Sequence, residues 1–128
     1  VSHAQEAGNV AIGAMAWERV PDEAAHPPRG GIVVETGRNE DGEQWVLVLR
    51  WRVARGQLQH VRNRLDVSDL ASVNPVYKGD CLLAVRKIDQ YLGQRQSHSG
   101  PPYDDAERRM DSYRSALLLA AEQAGGKA

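Results

Sequence analysis

Glu43-Gln-Trp-Val-Leu-Val-Leu-Arg-Trp-Arg-Val53 is the stretch whose reading decides the architecture of this chain. Side chains of a strand alternate between its two faces. Trp45, Leu47, Leu49, Trp51 and Val53 therefore share one face, and Val46, Val48, Arg50 and Arg52 share the other. The odd-numbered face is wholly apolar and is expected to fill a core. The even-numbered face begins apolar and ends in two arginines. Its Val46–Val48 half is expected to lie under another element, and its arginine half in water.

Working outward, Gly30-Gly-Ile-Val-Val-Glu-Thr36 is rich in β-branched residues and predicts a strand. It reaches the central strand through residues 37–42, where Asp41-Gly42 is a hairpin signal. After the central strand, Ala54-Arg55-Gly56-Gln57 predicts a second turn. Residues 58–65 fit a third hairpin strand, although Leu58, Val61 and Leu65 also have helical spacing. Residues 66–73 predict a tight turn, one turn of 3₁₀-helix, leading into a short last strand. On the N-terminal side, residues 1–8 read as a frayed tail. Residues 9–20 read as a first strand interrupted at Gly13, with an alanine content that would also permit a helix. Residues 21–29, with Pro21 and Pro27-Pro28, read as a loop.

Asn74-Pro75 ends the strand pattern. Asp80 is placed to cap a helix whose stripe is Cys81, Leu82, Val85, Ile88 and Leu92, with Gly93 as its stop. Residues 94–102 form a polar linker. A second helix is expected from a cap at Asp104, with Ala106, Met110, Tyr113, Leu117, Ala120 and Ala124 as its apolar stripe and Gly125-Gly126 as its end. Leu117 to Ala121 is apolar almost all round, so this end packs deeply or meets another chain.

The order Gly31-Ile-Val-Val, an Asp-Gly hairpin, Trp45-Val-Leu-Val-Leu-Arg-Trp51, a turn, then Val67-Ser-Asp-Leu70 leading to Val73 resembles SH3-like small β-barrels. The KOW, Tudor and chromo-barrel groups share this plan. The resemblance implies a barrel that binds nucleic acid or protein through its loops, and fold-level analogy does not choose between the two. The expected fold class is α+β, an SH3-like antiparallel β-barrel followed by two C-terminal α-helices. The expected division is a tail at 1–8, the barrel at 9–73 and a helical pair packed on it at 74–128.

With 128 residues, 41% of them hydrophobic and 26% charged, the chain has the composition of one globular domain. It has no Phe, so three Trp and four Tyr supply the aromatic packing. Trp17 and Trp51 are read as core filling, with base stacking as the alternative. Ala, Gly and Arg are abundant and Lys is scarce, which suggests a GC-rich coding sequence. Val1 would suit a GTG start, and a bacterial or phage origin is expected. No signal-like or membrane-length apolar run is present, and a cytoplasmic protein with no membrane partner is expected.

A single cysteine excludes an internal disulfide, and no Cys/His spacing suits a metal. Cys81 is expected to be an inert core thiol, with reactivity at a helix N-terminus as the alternative. His3, His26, His60 and His98 are scattered, and no nucleophile motif or phosphate-binding Gly-Lys-Ser/Thr loop accompanies them. The expectation is therefore a non-enzymatic binding module with no cofactor and no metal.

The formal net charge of −1 predicts no polyanion binding by itself, but the cations are unevenly placed. Arg50, Arg52, Arg55, Arg62 and Arg64, with His60, occupy a segment that has no acid. A strand returning after the turn is expected to bring Arg62 and Arg64 beside Arg50 and Arg52. This set would attract nucleic-acid phosphates or an acidic protein surface. The alternative is that these arginines pair internally with Asp66, Asp69 or helix carboxylates. A second functional expectation is an assembly subunit, for example encoded by a phage or mobile element. It would form a homo-oligomer through Met110, Tyr113, Leu117 and Leu118, a stripe that could equally cover Val33, Val46 and Val48.

Overall fold

A computed structural model describes residues 9–21, 29–96 and 105–124. The strands are β1 (Met15–Glu18), β2 (Gly30–Arg38), β3 (Gln44–Ala54), β4 (Gln57–Asp66) and β5 (Leu70–Val73). A 3₁₀ turn, Val67–Asp69, joins β4 to β5, and two helices follow, α1 (Lys78–Gln96) and α2 (Asp105–Gln123). The strands form one antiparallel sheet in the order β4-β3-β2-β1-β5. The fold is α+β, a curled five-stranded sheet followed by two helices. Residues 58–65 are strand, and the 3₁₀ turn lies within the expected residues.

Two turns set the hairpins. At the first, the Asn39 N–H donates to Glu43 O at 2.8 Å and the Gly42 N–H to Asn39 O at 2.9 Å. Asp41 Oδ1 accepts from the Glu43 N–H, and Gly42 takes φ 88. The second turn has only two residues, Arg55 at φ 55 and Gly56 at φ 74. Positive φ at both central positions matches the right-handed twist of the flanking strands, which is why such turns close tight hairpins.

The sheet has an apolar cluster on each side. Val10, Ala14, Ala16, Val33, Val46, Val48, Val67 and Leu70 form one. Its members come from β1, β2, β3 and β5, so the sheet must curl towards this side for strands distant in the sheet order to meet. Gln44 closes one end of the curl. Its Nε2 donates to Val10 O at 3.1 Å and Thr36 Oγ1 at 2.7 Å, and its Oε1 accepts from the Val10 N–H at 2.8 Å. The other cluster lies beneath the helices. Ile32, Val34 and Leu49 meet Cys81, Val85 and Ile88 of α1 and Met110, Tyr113 and Leu117 of α2, with Leu47 and Trp51 packed at its edge.

These clusters reverse the expected faces of β3. Val46 and Val48 fill the inside of the curl, and Leu47, Leu49 and Trp51 lie under the helices. Side-chain size gives the reason. Of the β3 side chains, the smaller Val46 and Val48 lie inside the curl, in a cluster of Val and Ala with Leu70, and the larger Leu47, Leu49 and Trp51 lie in the layer between sheet and helices. The odd-numbered face is also not wholly buried, since Val53 at the strand's end is 71% exposed.

Other boundaries move as well. β1 is short because Gly13, at φ 97, turns the chain just before it. α1 starts at Lys78, so Asp80 lies in its first turn and not at its cap. The helix runs through the exposed Gly93, since a glycine disfavours but does not forbid helix interior. Leu82 faces water, and Ala84 and Tyr91 join Cys81, Val85 and Ile88 in the buried stripe. The expectations for the tail at 1–8, the prolines at 27–28, His98, the Asp104 cap and the glycines at 125–126 lie outside the described residues.

Candidate basic binding surface

Residues directly opposite in an antiparallel pair point to the same side of the sheet. The β3–β4 register places Arg50 opposite Val61 and Arg52 opposite Gln59. It places Trp51 opposite His60, Leu49 opposite Arg62 and Leu47 opposite Arg64. The six basic residues are thus divided, and the expected single patch does not form. Arg50 and Arg52 share the inward side of the curl, His60, Arg62 and Arg64 share the helix side, and Arg55 sits on the turn. The two-residue turn causes this, because it pairs every even-numbered residue of β3 with an odd-numbered residue of β4.

Each residue has its own setting. Arg52 is exposed, and its Nε donates to Gln59 Oε1 at 3.1 Å. Arg55 is exposed at the tip of the hairpin. Arg50 is half-buried, with Nε enclosed. His60 packs edge-on against Tyr91, ring centres 5.1 Å apart, and against Trp51 at 6.4 Å. Arg62 Nη1 donates to the Tyr113 hydroxyl at 3.2 Å, tying β4 to α2. Arg64 lies over the Trp45 ring at 4.2 Å and donates through Nη2 to Asn39 Oδ1 at 3.0 Å.

None of these five arginines has a described carboxylate within 4.0 Å. Five other arginines do: Arg29 with Glu18, Arg95 with Glu107, Arg108 with Asp105, Arg109 with Glu35 and Arg114 with Asp89. Asp66, an expected internal partner, instead accepts from Asn39 Nδ2 at 3.0 Å. Internal pairing therefore does not account for the basic segment among the described residues.

A second basic feature escaped the sequence reading. A cavity of about 400 Å³ is lined by Arg19, Arg38, Glu43, Gln44 and Ser68. Arg38 is held by Nη1 donating to Gly42 O at 2.8 Å and Nη2 to Asn9 Oδ1 at 3.0 Å. Arg19 Nη2 donates to Leu70 O at 3.4 Å. Arg38, Glu43 and Gln44 meet across the β2–β3 hairpin, but Arg19 and Ser68 are remote from them in sequence, and only the curl brings them together.

The proposed helix interface is mostly used within the chain. Met110, Tyr113 and Leu117 are buried against the sheet, so they are not free to meet a partner in the folded chain. A helix covering a sheet must spend its apolar stripe there. Leu118 stays 36% exposed and Leu119 54% exposed.

Cys81 is fully buried, with Sγ 3.7 Å from Gly13 O. Burial, and then the charge of Asp80, raise its thiol pKa, so the thiol form persists at pH 8 and the nucleophilic thiolate is suppressed. A colorimetric aromatic disulfide reagent at pH 8 should leave native Cys81 unmodified and react fully once denaturant is added. Rapid modification of the native chain would contradict this setting.

Trp51 packs with His60 and Tyr91, and Trp17 lies over Gly30, where an added Cβ would come within 2.4 Å of its Nε1. Among the described residues, no three His, Cys, Asp or Glu side chains gather into a metal-binding group, and no helix is long and apolar enough to cross a membrane. Compared with family models, curated proteins and solved structures, the chain matches none of them.

Proposed function

We propose that the chain is a non-enzymatic binding module that contacts the phosphate backbone of nucleic acid through its β3–β4 hairpin. The supporting observation is that none of the hairpin's arginines has a described carboxylate partner, while Arg29, Arg95, Arg108, Arg109 and Arg114 each have one. Arg52 and Arg55 are exposed towards the tip, with Arg50 behind them. Three guanidinium groups there can neutralise phosphates and release counterions. The strand order, with a 3₁₀ turn between the last two strands, supports reading the half-barrel as an SH3-like plan.

Anisotropy of a labelled oligonucleotide tests the reading. Binding should weaken steeply as salt rises, since each neutralised phosphate adds about 0.9 to the logarithmic salt slope. Arg52→Glu with Arg55→Glu should lower affinity at least tenfold and reduce that slope by about 2, with thermal stability nearly unchanged. Absence of binding at low salt defeats the proposal. An acidic polypeptide of equal charge, bound more tightly than the oligonucleotide, would instead assign the hairpin to an acidic protein surface.

The exposed leucines support a second reading, assembly into a homo-oligomer. Leu118 and Leu119 near the end of α2, with Leu82 and Leu83 near the start of α1, leave apolar side chains in water. This reading expects more than one chain per particle in sedimentation and a shift to monomer in Leu118→Glu/Leu119→Glu. A wild-type monomer at high concentration removes it.

A further inference from the structure

β4 is an edge of the sheet, and the direction of its backbone groups follows from the hairpin. In a hairpin closed by two residues, Ala54 and Gln57 form the hydrogen-bonded pair beside the turn, and such pairs recur at every second residue. Gln59, Val61, Asn63 and Leu65 therefore bond to β3, and Leu58, Arg62 and Arg64 turn their N–H and C=O groups away from the sheet. One contact fixes this parity independently. Gln94 of α1 accepts from the Leu58 N–H through Oε1 and donates to Leu58 O through Nε2, both at 3.0 Å. The side-chain amide stands where a neighbouring strand would, since it satisfies a backbone donor and a backbone acceptor together.

Further along the strand the edge is open. Among the described residues, nothing bonds to the outward N–H or C=O of Arg62 or Arg64. Such an edge accepts an added strand, whose own N–H and C=O groups alternate at the same spacing. A phosphate backbone offers acceptors only and cannot match it. The side chains select the kind of strand. Arg62 and Arg64 share the helix side, Arg64 is exposed, and neither has a described carboxylate within 4.0 Å. Asp66, the acid of β4, is engaged by Asn39. Val61 and Leu65 lie on the opposite side and are half-buried. A second copy of the chain does not suit this edge. Antiparallel self-pairing centred on Asn63 would set Arg62 opposite Arg64 of the other copy, and like charges directly opposite destabilise a strand pair.

We propose that the edge of β4 at Arg62 and Arg64 binds an extended acidic segment of a partner protein by strand addition. The segment alternates Glu or Asp with a β-branched residue. Its carboxylates lie opposite Arg62 and Arg64, and its apolar side chains flank Val61 and Leu65. The surface stands apart from the nucleic-acid reading, which rests on Arg50, Arg52 and Arg55.

The test is titration of the ¹⁵N-labelled full chain with the peptide acetyl-Gly-Glu-Val-Glu-Val-Glu-Gly-amide. The Arg62 and Arg64 amides should shift saturably, with a midpoint of about 1 mM for so short an edge, and their exchange with solvent should slow. N-methylation at each Glu nitrogen of the peptide removes the strand's donors and should weaken binding about tenfold, as should Lys at the Glu positions or Arg64→Glu in the protein. Unmoved Arg62 and Arg64 amides well above that concentration overturn the proposal, as does equal binding of the N-methylated or the lysine peptide. Shifts of the same amides on dilution of the free chain would give the edge to a second copy, and shifts with an oligonucleotide in place of the peptide would give it to nucleic acid. Either result also overturns the proposal. Arg52→Glu with Arg55→Glu should leave the peptide midpoint within about threefold while weakening the oligonucleotide, so the two proposals fail separately.

Discussion

Leu49→Ala should cost about 2–5 kcal/mol of folding stability, the range for truncating a buried leucine that leaves a cavity. Leu49 is 1% exposed in the cluster beneath the helices, whose other members include residues of β2, α1 and α2. Val53→Ala, on the same strand and of the same parity, should change stability by less than about 0.5 kcal/mol, because its side chain is already in water. Chemical denaturation of the two variants measures the contrast directly. Equal losses would mean that β3 does not end its burial where the fold ends it.

Gly13→Ala is the second large effect, expected at about 2–5 kcal/mol. Two costs combine there. Gly13 has φ 97, a conformation that costs a residue with Cβ about 1–2 kcal/mol. An added Cβ would also lie 2.9 Å from both Ala120 Cβ and Cys81 Sγ, and overpacking of this kind costs about 1–3 kcal/mol more. Gly42→Ala separates the two terms. Gly42 has φ 88 with nothing within 4 Å of an added Cβ, so it should cost only the backbone part. If both variants melt together, the contact between the N-terminal turn and the helices is not formed as described.

The two variants also mark where sequence reasoning stopped. Gly13 was legible as an interruption of a strand, but its neighbours Cys81 and Ala120 are remote in sequence. The arginine cluster was misread for a different reason. The turn at Arg55-Gly56 was visible, and a two-residue turn already implies the register that separates Arg50 and Arg52 from Arg62 and Arg64. Carrying the turn through to its parity would have split the patch from sequence alone. The cavity lined by Arg19, Arg38 and Ser68 offered no such route, since no local pattern connects them.

The helices show the same division. Their stripes were readable from three- and four-residue spacing, because that periodicity is a property of the local backbone. What the stripes cover was not readable. Met110, Tyr113 and Leu117 would serve a partner as well as a sheet, and only the fold commits them to Ile32, Val34 and Leu49.

By itself, the sequence determined β2, β3, the two hairpin turns, the 3₁₀ turn and the helical pair, since each follows from alternation, glycine placement or helical spacing over a few residues, whereas residues 9–20 and 58–65 carried both strand and helix patterns until the sheet paired them. Tertiary structure alone decided which face of Gln44–Ala54 looks inward. Both faces begin apolar, so hydrophobicity could not choose between them. The choice came from volume: Val46 and Val48 fit the narrow inside of the curl, and Leu47, Leu49 and Trp51 need the wider layer under two helices.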